Sequence, residues 1–183
     1  MMAETRRLFF ALWPGAALQA ELVRRARKAL RPGGGRAVAT DKLHLTLAFL
    51  GSVDAQAQAC MEAGADGVRG EAFTLELDQL GHFPRPRVIW AGASRVPAAL
   101  RTLVQDLTRA LLPCGYRPES RPFQAHVTLM RKAARGPRPA EIEPLVWPVG
   151  DFALVESLTL PEGAQYRVLR RWPLAAAPAR TGD

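Results

Sequence analysis

Shifted by 82 residues, the chain lines up with its own second half. Leu18 then falls on Leu100, Leu22 on Val104 and Leu30 on Leu112, so two amphipathic stretches coincide. Ahead of them Leu8 falls on Trp90. Behind them His44 falls on His126, Thr46 on Thr128 and Leu47 on Leu129. Each half therefore reads strand, helix, strand, and the second strand of each carries His-x-Thr. Amphipathic helices align by accident in many proteins, but a histidine match in the same register makes accident a poor explanation. Duplicated units of this kind pack as similar copies on a shared core. The expectation is an α+β fold: one domain over 1–174 with two pseudo-twofold-related lobes, the repeat spanning roughly 7–51 and 87–131. A site at such an axis receives the same side chains from each half.

Hydropathy fills in the elements. Leu8–Trp13 is an apolar strand closed by Pro14. Ala16–Leu30 has helical spacing at Leu18, Leu22, Ala26 and Ala29, and Pro32 with Gly33–Gly35 ends it. Leu43–Leu50 is a strand stopped by Gly51. Asp54–Val68 is an Ala-rich helix weakened near its end by Gly64 and Gly67. Phe73–Leu80 alternates as a half-buried strand, Gly81–Pro86 is a loop and Val88–Ala93 a strand. Ala98–Leu112 is the strongest helix, with Leu100, Leu103, Val104, Leu107 and Leu111 on one stripe. Gln124–Met130 is a strand, and the basic, Pro-rich Arg131–Pro144 a loop. Phe152–Leu160 and Gln165–Trp172 are closing strands around a turn near Glu162–Gly163, and Ala175–Asp183 is expected to be a disordered tail.

Composition excludes several classes. No run approaches the ~20 apolar residues of a membrane span. Leu8–Trp13 is too short for a signal-peptide core and lacks a cleavage pattern, so a cytoplasmic location with no membrane partner is expected. Cys60 and Cys114 do not form a CxxC pair, and two reduced, partly buried thiols are expected rather than a disulfide. The three histidines lack zinc spacing, so no metal is expected. The net charge of +8 favours a polyanion such as nucleic acid. Its 22 Arg against 3 Lys, in an Ala-, Gly- and Pro-rich chain, is also what genome composition alone produces.

The chemistry lies in the doubled motif. On a strand, residues i and i+2 share a face. His44 and Thr46 thus point one way, and Leu45 and Leu47 the other; His126-Val127-Thr128-Leu129 repeats the arrangement. With nine threonines in 183 residues, two of three histidines carry Thr at +2 by chance about once in a hundred. Histidine titrates near neutrality, so one ring can accept a proton while the other donates one. In-line attack on phosphorus needs a base on one side and an acid on the other, which two symmetry-related strands supply. The Thr46 and Thr128 hydroxyls can donate to the non-bridging oxygens. Arg131 follows the second motif and can clamp phosphate, unless it is a solvated strand-end residue. Phe10 and Phe49 lie where an aromatic could approach a nucleobase, although core packing is the reading their type favours for both. His82 has no matching threonine and reads as a surface or hinge residue.

Arg7-Leu8-Phe9-Phe10-Ala11, His44-Leu45-Thr46-Leu47-Ala48-Phe49-Leu50-Gly51, and Arg121-Pro122-Phe123 followed by His126-Val127-Thr128-Leu129 and Arg131 carry a resemblance. So do Pro86–Gly92 and Tyr166–Leu174. Together they resemble the bacterial and archaeal RNA 2′,3′-cyclic phosphodiesterases, also called 2′-5′ RNA ligases, of the two-histidine phosphoesterase superfamily. The resemblance implies two antiparallel sheets lining a central groove with helices outside. It implies hydrolysis of an RNA-terminal 2′,3′-cyclic phosphate to a 2′-phosphomonoester, with His44 as proton donor to the departing 3′-oxygen and His126 as the base activating water. Thr46 and Thr128 would hold the phosphate, with no metal or nucleotide cofactor. The family name also implies 2′-5′ ligation of tRNA halves. Pro161 and Glu162 stand where the family carries a serine, which bears on contacts made by that hairpin.

Two alternatives stay open. One is a cyclic phosphodiesterase acting on small nucleotides, separated by comparing a short RNA with a mononucleoside substrate. The other is a non-catalytic RNA-binding module of the same fold, against which both intact motifs argue. A monomer is expected.

Overall fold

The structure is a computed structural model that describes residues 4–137, 140–161 and 163–176. Continuous apolar runs form β1 (Arg6–Leu12), β5 (Val88–Gly92) and β8 (Asp151–Leu160), and mixed apolar and polar stretches form β3 (Leu45–Val53), β4 (Phe73–Phe83), β6 (His126–Arg131), β7 (Ala140–Val149) and β9 (Gly163–Pro173), with a two-residue β2 (Arg36–Ala37). Helical spacing forms α1 (Ala16–Leu30), α2 (Ala55–Asp66) and α3 (Ala98–Leu111). The strands run in the order β7-β4-β5-β6-β3-β1-β8-β9, with β2 beside β6, and the ladders are antiparallel. At the centre β3 and β6 share one pair, Leu45 with Val127. That single join divides the strands into two lobes, β7-β4-β5-β6 and β3-β1-β8-β9.

Both lobes place their helices on one face. Leu22 and Ala26 of α1 and Leu100, Leu103, Leu107 and Leu111 of α3 share a core with Leu8, Phe10, Leu12, Leu45, Leu47, Val127 and Leu129. The helices cross over: α1 lies against β6 and β7, and α3 against β3 and α2. Each strand–helix–strand unit thus buries its apolar stripe partly on the other lobe. The opposite face is open, with a second cluster of Phe9, Ala11, Ala153 and Val155 on the β1–β8 side.

Both histidine-bearing strands bulge at the same place. The β1–β3 register passes from Ala11–Thr46 to Phe10–Ala48, skipping Leu47. The β5–β6 register passes from Trp90–Thr128 to Ile89–Met130, skipping Leu129. A bulge shifts the alternation of facing by one residue. It keeps Leu47 and Ala48, or Leu129 and Met130, both buried, and returns Phe49 and Arg131 to the open face.

Several expectations are corrected. Cys60 and Cys114 form a disulfide, Cα atoms 5.6 Å apart, between α2 and the turn after α3; helix packing brings them together across 54 residues, a distance with no local signal. The loop expected over Arg131–Pro144 ends early, because β7 begins at Ala140. Its Pro144 and Pro148 disguised it; β7 is an edge strand pairing only with β4, where a missing N–H costs no ladder bond. The loop expected at Gly81–Pro86 is shorter, since Gly81, His82 and Phe83 pair with Trp90, Ile89 and Val88. His82 is therefore a strand residue packed against Gly136, its Nε2 buried with no partner among the described residues. Ala175, expected to open the tail, bridges Glu71. Residues 177–183 and Glu162 of the expected β8–β9 turn lie outside the described residues. No helix among the described residues is long and apolar enough to cross a membrane.

Candidate active site

Leu45 and Val127 are wholly buried and face the helices. One register step outward on each strand sets His44 across from Thr128, and Thr46 across from His126. These four side chains share the open face. Carried outward from the Leu45–Val127 pair, this register puts the two imidazoles on one diagonal and the two hydroxyls on the other, and the His126 charge is felt at His44. Diagonal neighbours in an antiparallel pair stand about 7–8 Å apart, room for one phosphate.

The two imidazoles are held alike. His44 Nδ1 lies 2.7 Å from the carbonyl oxygen of Lys42, and His126 Nδ1 lies 2.8 Å from that of Gln124. A carbonyl only accepts, so each Nδ1 carries the hydrogen and donates. That fixes the tautomer and leaves each Nε2 as the free nitrogen, a base when neutral and an acid when protonated. Lys42 and Gln124 are themselves 82 residues apart, so the clamp is duplicated with the motif.

The surroundings differ. His44 stacks on Trp13, ring centroids 5.0 Å apart and planes 2° from parallel. Phe9 lies at 4.9 Å, and Tyr166 meets the ring edge-on at 5.1 Å. His126 meets Phe83 edge-on at 5.2 Å and Trp90 at 6.4 Å. Trp90 lies across Gly81 and Gly92, where any Cβ would strike its ring. The residues' type predicted none of these aromatic roles. The available signal was period two: Phe9, Ala11 and Trp13 fall on the face opposite Leu8, Phe10 and Leu12.

Burial pushes the His44 imidazole down to about 4; the Lys42 carbonyl opposes this, and the Arg131 and His126 charges reinforce it. Burial also lowers His126, opposed by the Gln124 carbonyl and reinforced by Arg131. Arg131 therefore stands where its charge is felt by both rings. In the ligand-free protein His44 is therefore neutral at pH 7, and burial shifts His126 toward its neutral form as well. The unfolded chain protonates histidine near 6.5, so below that value it takes up protons that folded His44 refuses down to about 4. Stability should fall as pH drops through this window. Equilibrium unfolding should show a shallower fall for His44→Gln than for the native chain; equal slopes would contradict the depressed value.

Phe10, the other aromatic candidate, is corrected: it is wholly buried, pairs with Ala48 and packs on Phe152 and Trp172, on the helix side. Phe49 is on the open face and 43% exposed. Among the described residues no group of three or more His, Cys, Asp or Glu could hold a metal ion.

Comparison with known proteins finds relatives along nearly the whole chain. The family model described as the 2′-5′ RNA ligase superfamily matches residues 14–160. The RNA 2′,3′-cyclic phosphodiesterase of Escherichia coli K12 is 35% identical over 177 residues, covering 94% of this chain and 99% of the relative. The protein of the same name from Thermus thermophilus is 35% identical over 187 residues, covering 95% and 93%. The crystal structure of E. coli LigT complexed with 3′-AMP superposes with a TM-score of 0.87 at 35% identity, covering 93% of this chain and 99% of that one. With its family model matched across most of its length and its relatives aligned nearly end to end, this chain belongs to the 2′-5′ RNA ligase superfamily.

Proposed function

We propose that the chain is an RNA 2′,3′-cyclic phosphodiesterase that leaves a 2′-phosphomonoester, with His44 and His126 as acid and base. The observation that carries the reading is the matched pair of Nδ1–carbonyl clamps, which leaves one free Nε2 on each imidazole. Water attacks phosphorus while His126 Nε2 takes its proton. The P–O3′ bond breaks as His44 Nε2 delivers a proton to the departing oxygen. Atoms and charge balance: one proton enters at His126, one leaves from His44, and solvent exchange resets the pair. The stack on Trp13 supports His44 as the donor, since an aromatic face attracts the imidazolium. The phosphodiester anion supplies the further charge needed to protonate a ring that is neutral in the empty groove. Thr46 and Thr128 occupy the other diagonal, where the non-bridging oxygens lie during in-line displacement. Arg131 adds a cation to the same oxygens. A 5′-hydroxyl in place of water would give a 2′-5′ linkage at the same atoms.

The test is incubation with an oligoribonucleotide ending in a 2′,3′-cyclic phosphate, in buffer containing EDTA. The expected product is the 2′-phosphate alone. A 3′-phosphate product, or turnover that requires an added divalent cation, would overturn the mechanism.

A further inference from the structure

The two imidazoles are not anchored alike in the backbone. His126 is the first residue of β6 and pairs with Gly92, so the β5–β6 ladder holds its peptide. His44 lies one residue ahead of β3, outside the β1–β3 ladder, and follows closely on the 3-10 turn Thr40–Lys42. Some other tie has to fix its peptide, and the buried polar residues supply it. Among the described residues two polar side chains are buried, Gln19 and Glu156. Glu156 is answered by Arg167 at 2.6 Å. Gln19 lies in the first turn of α1, on the stripe of Leu22 and Ala26, and its Nε2 donates to the Leu43 carbonyl oxygen at 3.1 Å. A buried amide is costly unless it is bonded, so the core keeps Gln19 on this carbonyl. A second tie comes from the surface. Lys42 Nζ donates to the Ala164 carbonyl oxygen at 2.7 Å, in the same strand whose Tyr166 meets the His44 ring. In the other half Arg101, 82 residues after Gln19, is exposed and turns to the Val96 carbonyl instead.

We propose that Gln19 and Lys42 are positioning residues for His44; this rests on the reading of His44 as the acid. The Leu43 carbonyl belongs to the peptide bond that enters His44, and the carbonyl before it, that of Lys42, receives His44 Nδ1. If the Leu43 carbonyl turns, the His44 Cα moves with it and Nδ1 leaves the Lys42 oxygen. The ring is then free to swing and to change tautomer. Placement matters more for the acid than for the base. A water molecule can follow His126 Nε2 to wherever that atom stands. The departing 3′-oxygen is fixed in the substrate's ribose and cannot follow His44. A misplacement of about 1 Å, caused far from the chemistry, costs ~10²-fold in rate. Gln19 and Lys42 thus govern proton delivery without touching the substrate.

The experiment compares two oligoribonucleotides with a 2′,3′-cyclic end. One is ordinary; the other has sulfur at the bridging 3′ position, a leaving group that needs no proton. Gln19→Met keeps the length of the side chain and removes the donor. It should lower kcat on the ordinary substrate roughly 10–100-fold with KM little changed, and stay near the native rate on the sulfur substrate. Lys42→Met, which keeps the backbone carbonyl and lies outside the core, should show the same split to a smaller degree. It carries the test if Gln19→Met does not fold. Equal losses on both substrates, or no loss on either, would overturn the assignment, since a merely structural role does not distinguish leaving groups. Ring nitrogen NMR shifts of His44 give a reading that needs no turnover. The native ring should carry its hydrogen on Nδ1 alone, and Gln19→Met should show a mixture of tautomers. If the native chain hydrolyses neither substrate, the reading of the reaction fails. A mixture in the variant would still support Gln19 as the anchor of His44, and an unchanged ring would sink it.

Discussion

Replacing His126 or His44 by alanine should each lower kcat by roughly 10²–10⁴-fold, the usual worth of a positioned acid or base, while leaving affinity for a cyclic-ended RNA largely intact. The double variant should be little worse than either single one, because two groups that complete one proton relay act as a unit. The geometry predicts more than loss. Substituting sulfur for the bridging 3′-oxygen creates a leaving group that departs without a proton. With that substrate His44→Ala should recover most of its rate, and His126→Ala should not, since water still needs a base. Recovery by His126→Ala instead would exchange the two roles. Native turnover in either variant with the ordinary substrate would remove the mechanism altogether. The pH profile carries a related signature. Both rings are lowered by burial and neither is a strong base in the empty groove, so the profile should be a bell whose limbs belong to the coupled pair.

Reducing the Cys60–Cys114 bond should cost about 4 kcal/mol, the loop-closure entropy of a cross-link of this span, and lower Tm by roughly 10 °C. The effect should centre on α2. That helix buries only Met61 and Ala65 and is held at its start by the Asp54 cap on Ala57 N–H. Its end is tied by Asp66 to Arg170 and to the Trp172 indole N–H. With so little apolar area of its own, α2 depends on these ties and on the covalent link to the segment after α3. Melting with and without dithiothreitol measures the loss. The Cys60→Ala/Cys114→Ala variant should melt at the reduced temperature and ignore the reductant. Equal melting temperatures for the native chain in both conditions would mean the bond contributes nothing to stability.

The sequence carried the helices and the chemical pair because their signals are local. Ala98–Leu111 needed only a stripe at helical spacing. His44 and His126 needed only their shared register with Thr46 and Thr128. The 82-residue offset then placed both motifs on equivalent strands. Three things escaped. β7 was hidden by two prolines that only an edge position tolerates. The disulfide depends on where α2 meets the end of α3. Phe10 and Phe49 could not be told apart by type, because a bulge decides which side Phe49 faces.

Sequence alone determined which residues could do acid–base chemistry and that they come as a duplicated pair, since facing on a strand follows from counting by two. Tertiary structure alone decided their environment. Phe9 and Trp13 reach His44 from β1 and the residue that follows it, and Tyr166 reaches it from β9 in the C-terminal hairpin. Burial, ring stacking and the charge felt from Arg131 depend on packing between distant segments, and no window along the chain contains that packing.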